Sequence, residues 1–230
     1  KTVPLAPGTP VTVNNTNGGV TISAWDSTYA DIFVVKRSKY GMNEIDKVSI
    51  EVSTSSGLDI RTQFDKRGLF GSSPRVTVNY TIRLPRSANL KSAGTVNGGI
   101  TIRGTGGEAS LHTTNGSIKS EDVLHVAEAS STNGSITING AASVTEASTT
   151  NGSISASFAT VSGVSEFRTV NGSISLTVPS GLNADLEFRT VNGSIKIPDG
   201  IRLGRGEISR KRLSGQIGSG GPDISAHTVN

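Results

Sequence analysis

The tetrapeptide Asn-Gly-Ser-Ile recurs through the second half of the chain and constrains its fold more than any other feature. Its asparagines stand at positions 115, 133, 151, 171 and 192, and a looser Asn-Gly-Gly-Ile copy begins at Asn97. Successive copies are therefore 18, 18, 18, 20 and 21 residues apart. Self-similarity at a nearly fixed period of this length is typical of proteins in which each repeat stacks on its neighbours. The period predicts a solenoid.

Within each copy, the isoleucine and the residue two positions later form an alternating pair. The first column contains Ile100, Ile118, Ile136, Ile154, Ile174 and Ile195. The second column contains Ile102, Ser120, Ile138, Ala156, Leu176 and Ile197. Alternation with a period of two residues is typical of a half-buried strand. We therefore expect each Gly-Ser-Ile to begin a short strand and its isoleucine to lie in the core.

The Asn-Gly dipeptide before each strand predicts a tight corner, because glycine readily adopts a positive φ and asparagine tolerates one. Stacked asparagines at these corners are expected to form a ladder of side-chain amides. The predicted corner residues are Asn97, Gly98, Asn115, Gly116, Asn133, Gly134, Asn151, Gly152, Asn171, Gly172, Asn192 and Gly193.

A β-hairpin is the alternative interpretation of Asn-Gly between two apolar runs. Hairpin arrays need two turns per repeat, however, whereas one Asn-Gly per repeat suits a single circuit of parallel strands. Eighteen residues extend about 59 Å at roughly 3.3 Å per residue, enough for three short sides. Aliphatic residues do not recur every six positions, which excludes a left-handed hexapeptide helix. The sequence thus predicts an all-β, single-stranded parallel β-helix (β-solenoid) of 18 to 21 residues per rung, right-handed by the usual chirality of parallel crossovers.

Residues 23 to 94 interrupt the repeat and predict longer strands at 32–36, 48–53, 58–63 and 75–84, a short helix at 42–47 and a mobile loop at 68–74. Because residues 16 to 22 resemble residues 95 to 102, we predict one continuous solenoid over 1–230. Residues 1–94 form its elaborated part, and residues 95–230 form its regular part. The final Thr228-Val229-Asn230 resembles half of another copy and predicts an incomplete terminal rung. An open rung favours self-association.

Composition narrows the functional classes. The chain has no cysteine, which excludes disulfides and thiolate metal sites, and its apolar runs are too short to cross a membrane, so we expect any export signal or anchor to lie outside this segment. The net charge of +4 is modest and does not predict nucleic-acid binding. A basic cluster instead predicts a local patch for an anionic ligand such as teichoic acid, lipopolysaccharide or an acidic glycan. Its residues are Arg202, Arg205, Arg210, Lys211 and Arg212.

A column of glutamates stands five residues before the repeat asparagines, at Glu128, Glu146, Glu166 and Glu187. Arg168 and Arg189 follow two of these acids on the same strand face and would neutralise them. Glu128 and Glu146 are followed by serines instead, which makes them a candidate site for a weakly bound calcium ion or other cation. A solvated, partly salt-bridged edge is the simpler interpretation, and no cofactor or dedicated metal centre is expected.

Several segments together resemble the bacterial "putative adhesin" domain family of unknown function, over nearly the whole chain. They are Trp25-Asp26, the run from Tyr80 to Pro85 before Thr-Val-Asn-Gly, the Asn-Gly-Ser-Ile rungs, and Gly218-Ser219-Gly220-Gly221 before the final Thr-Val-Asn. The resemblance implies a parallel β-solenoid carried by exported or membrane-anchored proteins, similar to autotransporter adhesin heads. It supplies no catalytic motif.

Polysaccharide lyases and hydrolases also fold as parallel β-helices, but their chemistry needs opposed carboxylates or calcium with a nearby base. The histidines His112, His125 and His227 are interpreted as surface residues at different rung positions, without Ser or Cys partners. We therefore expect a non-enzymatic, secreted or cell-surface module with a structural or adhesive role. Its partner would be a surface polymer, a glycan or another protein. An extracytoplasmic sensory or regulatory domain of a membrane-anchored protein and a cryptic polysaccharide lyase or hydrolase are the alternatives.

Overall fold

The computed structural model describes residues 1–64, 75–197 and 203–230. Within these ranges the chain forms twenty-one strands and one short helix, α1 (Met42–Ile45). The first strands are β1 (Thr2–Pro4), β2 (Pro10–Asn14), β3 (Val20–Trp25), β4 (Tyr29–Ser38), β5 (Val48–Ser53), β6 (Leu58–Phe64) and β7 (Val76–Pro85). The predicted helix and the four predicted longer strands are all present. The loop predicted at 68–74 lies outside the described residues.

The remaining strands follow the repeat. Those of the regular part are β8 (Asn89–Asn97), β9 (Ile100–Arg103), β10 (Glu108–Asn115), β11 (Ile118–Glu121), β12 (His125–Asn133), β13 (Ile136–Ala141), β14 (Ser143–Asn151), β15 (Ile154–Phe158), β16 (Ser165–Asn171) and β17 (Ile174–Thr177). Those at the C-terminal end are β18 (Ala184–Thr190), β19 (Leu203–Ile208), β20 (Arg212–Ile217) and β21 (Asp223–Thr228).

Two sheets form the body of the solenoid. One has nine strands in the order β1-β4-β7-β3-β9-β11-β13-β15-β17, and the other has twelve in the order β19-β20-β18-β21-β16-β14-β12-β10-β8-β2-β6-β5. The predicted all-β solenoid is confirmed, but each regular rung has two sides instead of three. The strand β12 has nine residues and β13 has six, so an 18-residue circuit has little length left for a third side.

The core lies between the sheets and follows the predicted columns. Neighbouring regular strands pair in parallel, and Ile118, Ile136 and Ile154 are direct partners across β11, β13 and β15. Each of these three side chains is at most 1% exposed. Because one rung buries too little apolar area to fold alone, the shared column stabilises the rungs only when they stack.

The corners contain a continuous ladder of asparagine amides. Asn115 donates its side-chain N–H to Asn97 Oδ1 at 2.9 Å, and Asn133 donates to Asn115 Oδ1 at 2.8 Å. The same bond links Asn97 to Asn17, Asn151 to Asn133 and Asn171 to Asn151. The ladder joins six successive rungs and fixes their alignment at the corner.

The repeat glycines are required for a different reason from the one predicted. None of the corner glycines Gly98, Gly116, Gly134, Gly152 and Gly172 has a positive φ. Instead, the glycines stack so closely that a Cβ on Gly134 would lie 1.9 Å from the carbonyl oxygen of Gly116, and one on Gly152 would lie 2.2 Å from that of Gly134. A side chain at these positions would collide with the backbone of the preceding rung.

For the asparagines from Asn97 to Asn171, the hydroxyl two residues earlier donates to the glycine carbonyl of the preceding rung. Thr149 Oγ1 donates to Gly134 O at 2.8 Å, and Ser131 Oγ donates to Gly116 O at 2.9 Å. These side chains are buried. A buried carbonyl without a partner costs free energy, so the hydroxyl column is part of what makes close glycine stacking stable.

The N-terminal residues join the same stack. Asn17 forms a parallel bridge with Asn97, while β3 pairs with β9 and β2 pairs with β8. The strands between these two rungs extend the sheets, with β4 antiparallel to β7 and β5 antiparallel to β6. The rungs at Asn17 and Asn97 are therefore neighbours in space, although eighty residues separate them.

The C-terminal residues correct two predictions. β21 pairs in parallel with both β16 and β18, so the final Thr228-Val229-Asn230 lies inside the stack and is not a terminal rung. Thr228 Oγ1 donates to Gly172 O at 3.1 Å, the bond that other rungs make with their predecessor. The copy at Asn192 therefore does not stack on the copy at Asn171. Its Ile195 begins no strand, and β18 and β19 instead pair antiparallel with β20.

Candidate anion-binding groove

The outer face of the twelve-stranded sheet presents three aligned rows of side chains at its C-terminal end. Alternation along each strand places every second residue on this face. On β16 the outward residues are Glu166, Arg168 and Val170. On β21 they are Ser225 and His227, followed by Val229 just after the strand, and on β18 they are Glu187 and Arg189, followed by Val191 just after the strand.

The middle row carries basic side chains on four adjacent strands. Arg168 is the direct partner of His227, His227 is the partner of Arg189, and Arg189 is the partner of Arg212 on β20. Neighbouring strands are about 4.8 Å apart, so this cationic row extends roughly 14 Å across the sheet. The insertion of β21 between β16 and β18 is what aligns the row.

An open groove of about 690 Å³ follows the cationic row. Its lining includes the four members of the row, Lys211, and the valines of the third row. Val170, Val229 and Val191 are 41%, 49% and 54% exposed. An exposed apolar strip beside a line of cations makes the groove amphipathic.

Part of the cationic charge is neutralised within the same face. Arg168 Nε donates to Glu166 Oε1 at 2.7 Å, and Arg189 is hydrogen-bonded to Glu187. Among the described residues, no carboxylate lies within salt-bridge distance of Lys211 or Arg212. The groove therefore keeps a net positive charge at its β20 end.

The predicted basic patch overlaps this groove only in part. Lys211 and Arg212 line it, whereas Arg205 lies on β19 and Arg210 lies in the turn before β20, outside the lining. Arg202 lies outside the described residues. The sequence interpretation missed Arg168, Arg189 and His227 as members of one row. Each of the three lies three residues before an asparagine, at Asn171, Asn192 and Asn230, and this shared position could have identified them from the sequence.

The interpretation of the histidines was wrong in two respects: two of them share a row, and His112 and His125 each have a serine hydroxyl as a partner, at Ser130 and Ser143. His112 pairs with Ser130, and the same row runs on across the neighbouring strands through Ser148, Arg168 and His227. His112 and His227 therefore occupy the same row of the sheet. The imidazole of His112 lies near the hydroxyl of Ser130, with 2.9 Å between Nδ1 and Oγ.

The predicted glutamate column is continuous only from β12 to β16. Glu128 pairs with Glu146 and Glu146 pairs with Glu166, but Ser225 separates Glu166 from Glu187. Glu128 Oε1 lies 3.5 Å from His112 Nδ1. Within residues 1–64, 75–197 and 203–230, no three potential metal ligands cluster together. Cation binding by Glu128 and Glu146 stays a prediction.

These features define an all-β, solenoid-like repeat protein with a cationic groove on one sheet. The chain belongs to the Toastrack DUF4097 family, whose model matches residues 11–230. The predicted resemblance to a domain family of unknown function is confirmed. A comparison with curated proteins finds no match. The helix in the described part of the chain, α1, is too short to cross a membrane.

Two solved structures similar to the chain bear adhesin names. One, named "putative cell adhesion protein", is from Clostridium sporogenes; it is 11% identical, with a TM-score of 0.35 and coverage of 99% of this chain and 92% of that one. The other, named "putative adhesin", is from Bacteroides fragilis; it is 13% identical, with a TM-score of 0.39 and coverage of 100% of this chain and 95% of that one.

Proposed function

We propose that this protein is a non-enzymatic, extracytoplasmic bacterial binding module that holds an anionic surface polymer in the groove along the cationic row. The alignment of Arg168, His227, Arg189 and Arg212 on four adjacent strands carries the proposal. The adhesin names of similar structures motivate a surface location.

The spacing of the row favours a polymer over a small anion. Arg189 and Arg212 lie on neighbouring strands about 4.8 Å apart, and Arg168 lies two strand spacings, or about 10 Å, from Arg189; both separations are comparable with the Debye length of about 8 Å at physiological ionic strength. A chain of repeated negative charges can therefore interact with several of these cations at once. A small anion would meet one or two, and each solvated contact contributes little.

The valine row narrows the chemistry of the polymer. Val170, Val229 and Val191 border the cations and remain largely exposed. A fully solvated polyanion gains no binding free energy from such a strip, whereas a sugar ring or a polyol segment can bury its apolar C–H groups against it. The groove therefore suits an acidic glycan or a polyol phosphate.

Retention on immobilised polymers tests this function. The probes are polygalacturonate for carboxylates, a glycerol-phosphate teichoic acid for phosphates, and double-stranded DNA as a polyanion that is neither an acidic glycan nor a polyol phosphate. The groove variant combines Arg168→Gln, Arg189→Gln and Arg212→Gln. The matched control combines Arg61→Gln, Arg83→Gln and Arg103→Gln, three arginines that are paired with carboxylates elsewhere on the sheets.

We expect the wild-type protein to bind one of the first two polymers and the groove variant to bind about tenfold more weakly, as three solvated contacts would predict. The control variant should stay within about threefold of wild type. If both variants bound equally more weakly, the net charge of the protein and not the groove would determine binding. If the protein bound DNA more tightly than the other two polymers, the preference for an acidic glycan or a polyol phosphate would be contradicted. Cleavage of the polymer would instead establish the enzyme alternative.

A further inference from the structure

Two corners of the chain have the same sequence over a long stretch. Residues 166–174 and 187–195 both read Glu-Phe-Arg-Thr-Val-Asn-Gly-Ser-Ile, with the asparagine at Asn171 in the first and at Asn192 in the second. Asparagine followed by glycine is prone to deamidation, because the glycine nitrogen has no neighbouring Cβ to shield it and can attack the asparagine Cγ. A difference in reactivity between these two corners can therefore come only from the tertiary structure.

The corner at Asn171 is restrained at both reacting groups. The Asn171 side chain donates to Asn151 Oδ1 at 2.8 Å, so its Cγ can turn towards the next nitrogen only by leaving the ladder. The backbone of Gly172 is packed so closely that a Cβ there would lie 1.9 Å from Gly152 O. Ring closure requires the backbone to move, and movement at this position disturbs the preceding rung.

The corner at Asn192 has neither restraint. β21 separates it from the last laddered asparagine, and in the part of the chain that the structure describes no ladder bond holds its side chain. The chain then turns away from the stack, with the Ile195 N–H donating to Arg210 O at 2.9 Å. The atoms nearest to a Cβ added at Gly193 belong to the Thr190 side chain and not to a neighbouring rung.

A hydroxyl also lies at the attacking nitrogen of this corner. The Gly193 N–H donates to Thr190 Oγ1 at 3.0 Å. In the stacked corners the equivalent hydroxyl instead donates to a glycine carbonyl of the preceding rung, as Thr169 does to Gly152 O at 2.8 Å. Thr190 is therefore a hydrogen-bond acceptor that polarises the N–H and positions the nitrogen.

We propose that Asn192 is a site of spontaneous modification, at which the folded protein converts asparagine to aspartate and isoaspartate while the laddered asparagines stay intact. The Gly193 nitrogen loses its proton to solvent and forms a bond to the Asn192 Cγ, and the side-chain nitrogen leaves as ammonia. Water then opens the resulting succinimide at either carbonyl. The net reaction consumes one water, releases one ammonia and involves no oxidation or reduction.

The modification changes the charge beside the cationic groove. The Asn192 N–H donates to Val229 O at 3.2 Å, and both Val229 and Val191 line the groove. A carboxylate at position 192 is a fixed negative charge at this edge and opposes the binding of an anionic polymer. This consequence rests on the proposed function, whereas the modification itself does not. Asn192 would thus give the groove a form with lower affinity that accumulates as the protein ages.

Peptide mapping by mass spectrometry tests the site. The protein is incubated at mildly alkaline pH, folded in one sample and unfolded in concentrated urea in another, and Asn171 is the matched control within the same molecule. In the folded sample, we expect aspartate and isoaspartate to form at Asn192 at least about tenfold faster than at Asn171, where a ladder bond and a packed glycine must first open. In urea the two rates should be equal, because the surrounding sequence is the same.

Equal rates at Asn192 and Asn171 in the folded sample would overturn the proposal, and so would faster modification at Asn171. Thr190→Val should slow the reaction at Asn192 in the folded protein and leave its rate in urea unchanged; an unchanged folded rate would contradict the role of the hydroxyl. Asn192→Asp, which carries the new charge from the start, should bind the polymer about threefold more weakly than wild type. If wild type binds no polymer, the proposed function fails while the modification rates still decide this site.

Discussion

The corners at Asn151 and Asn192 have the same four residues and different structures. At Asn151 the side chain donates to Asn133, Gly152 packs against the carbonyl of Gly134, and Ile154 begins β15. At Asn192 no ladder bond is present among the described residues, and Ile195 lies outside any strand. The tetrapeptide permits the stacked corner, but a neighbouring rung of the same kind is needed to form it.

The insertion of β21 explains the difference. The rung before Asn151 supplies a glycine carbonyl, an asparagine amide and a strand edge in the smaller sheet. The strand before Asn192, β18, instead has β21 between itself and β16, so the copy at Asn192 does not meet the copy at Asn171. The corner structure therefore forms cooperatively between adjacent rungs, as expected for a one-dimensional stack of repeats.

Of the paired substitutions at the two corners, alanine at Gly152 and at Gly193 should show the largest difference in the free energy of unfolding. Gly152→Ala places a Cβ 2.2 Å from Gly134 O, a backbone atom that cannot rotate away. We expect it to lower the free energy of unfolding by about 3 kcal/mol. In Gly193→Ala the Cβ meets the Thr190 hydroxyl at 2.7 Å, a side-chain atom that can turn aside. That variant should lose about 1 kcal/mol, measured by urea unfolding.

The result for Gly193 decides between two explanations of the glycine requirement. If both variants lose the same stability, the tetrapeptide itself demands glycine, and stacking is not the cause. Gly163 is half-buried, but an added Cβ there would contact nothing within 4 Å, so it serves as the control position for the backbone effect of alanine.

The threonines before the corners should give an intermediate contrast. Thr149→Val removes the 2.8 Å bond to Gly134 O and leaves a buried carbonyl without its donor. We expect a loss of about 2 kcal/mol, whereas Thr190→Val, whose hydroxyl only accepts the Gly193 N–H within its own corner, should lose less than about 1. Thr149→Ser keeps the hydroxyl, as Ser131 does in its rung, and should unfold close to wild type in urea. A Ser variant as unstable as the Val variant would exclude the hydrogen bond as the cause.

The asparagine ladder should give the smallest contrast. Asn151→Ala removes one bond to Asn133 and one from Asn171, both 2.8 Å long but exposed to solvent. We expect a loss of about 1 kcal/mol in thermal or urea unfolding. Asn192→Ala removes no ladder bond and should lie within about 0.5 kcal/mol of wild type. A larger loss at Asn192 than at Asn151 would contradict the importance of stacking.

The sequence was a good guide to the fold and a partial guide to the groove. Periodicity located the strands because burial in a sheet alternates every two residues, and Ile100 to Ile174 each begin one. It also placed Glu166 beside Arg168, since both are outward residues of one strand. It could not place His227 between Arg168 and Arg189, because these residues come together only across strands that are distant in the chain.

The sequence by itself determined that this chain is an all-β stack, what repeats in it, and which residues face the core. Only the tertiary structure decided the order of the last rungs, and with it the cationic row. The physical reason is that every strand ending in Thr-Val-Asn offers the same main-chain bonds and the same corner hydroxyl, so local sequence does not specify its neighbours. The return of the chain through β20 to β21 specifies them.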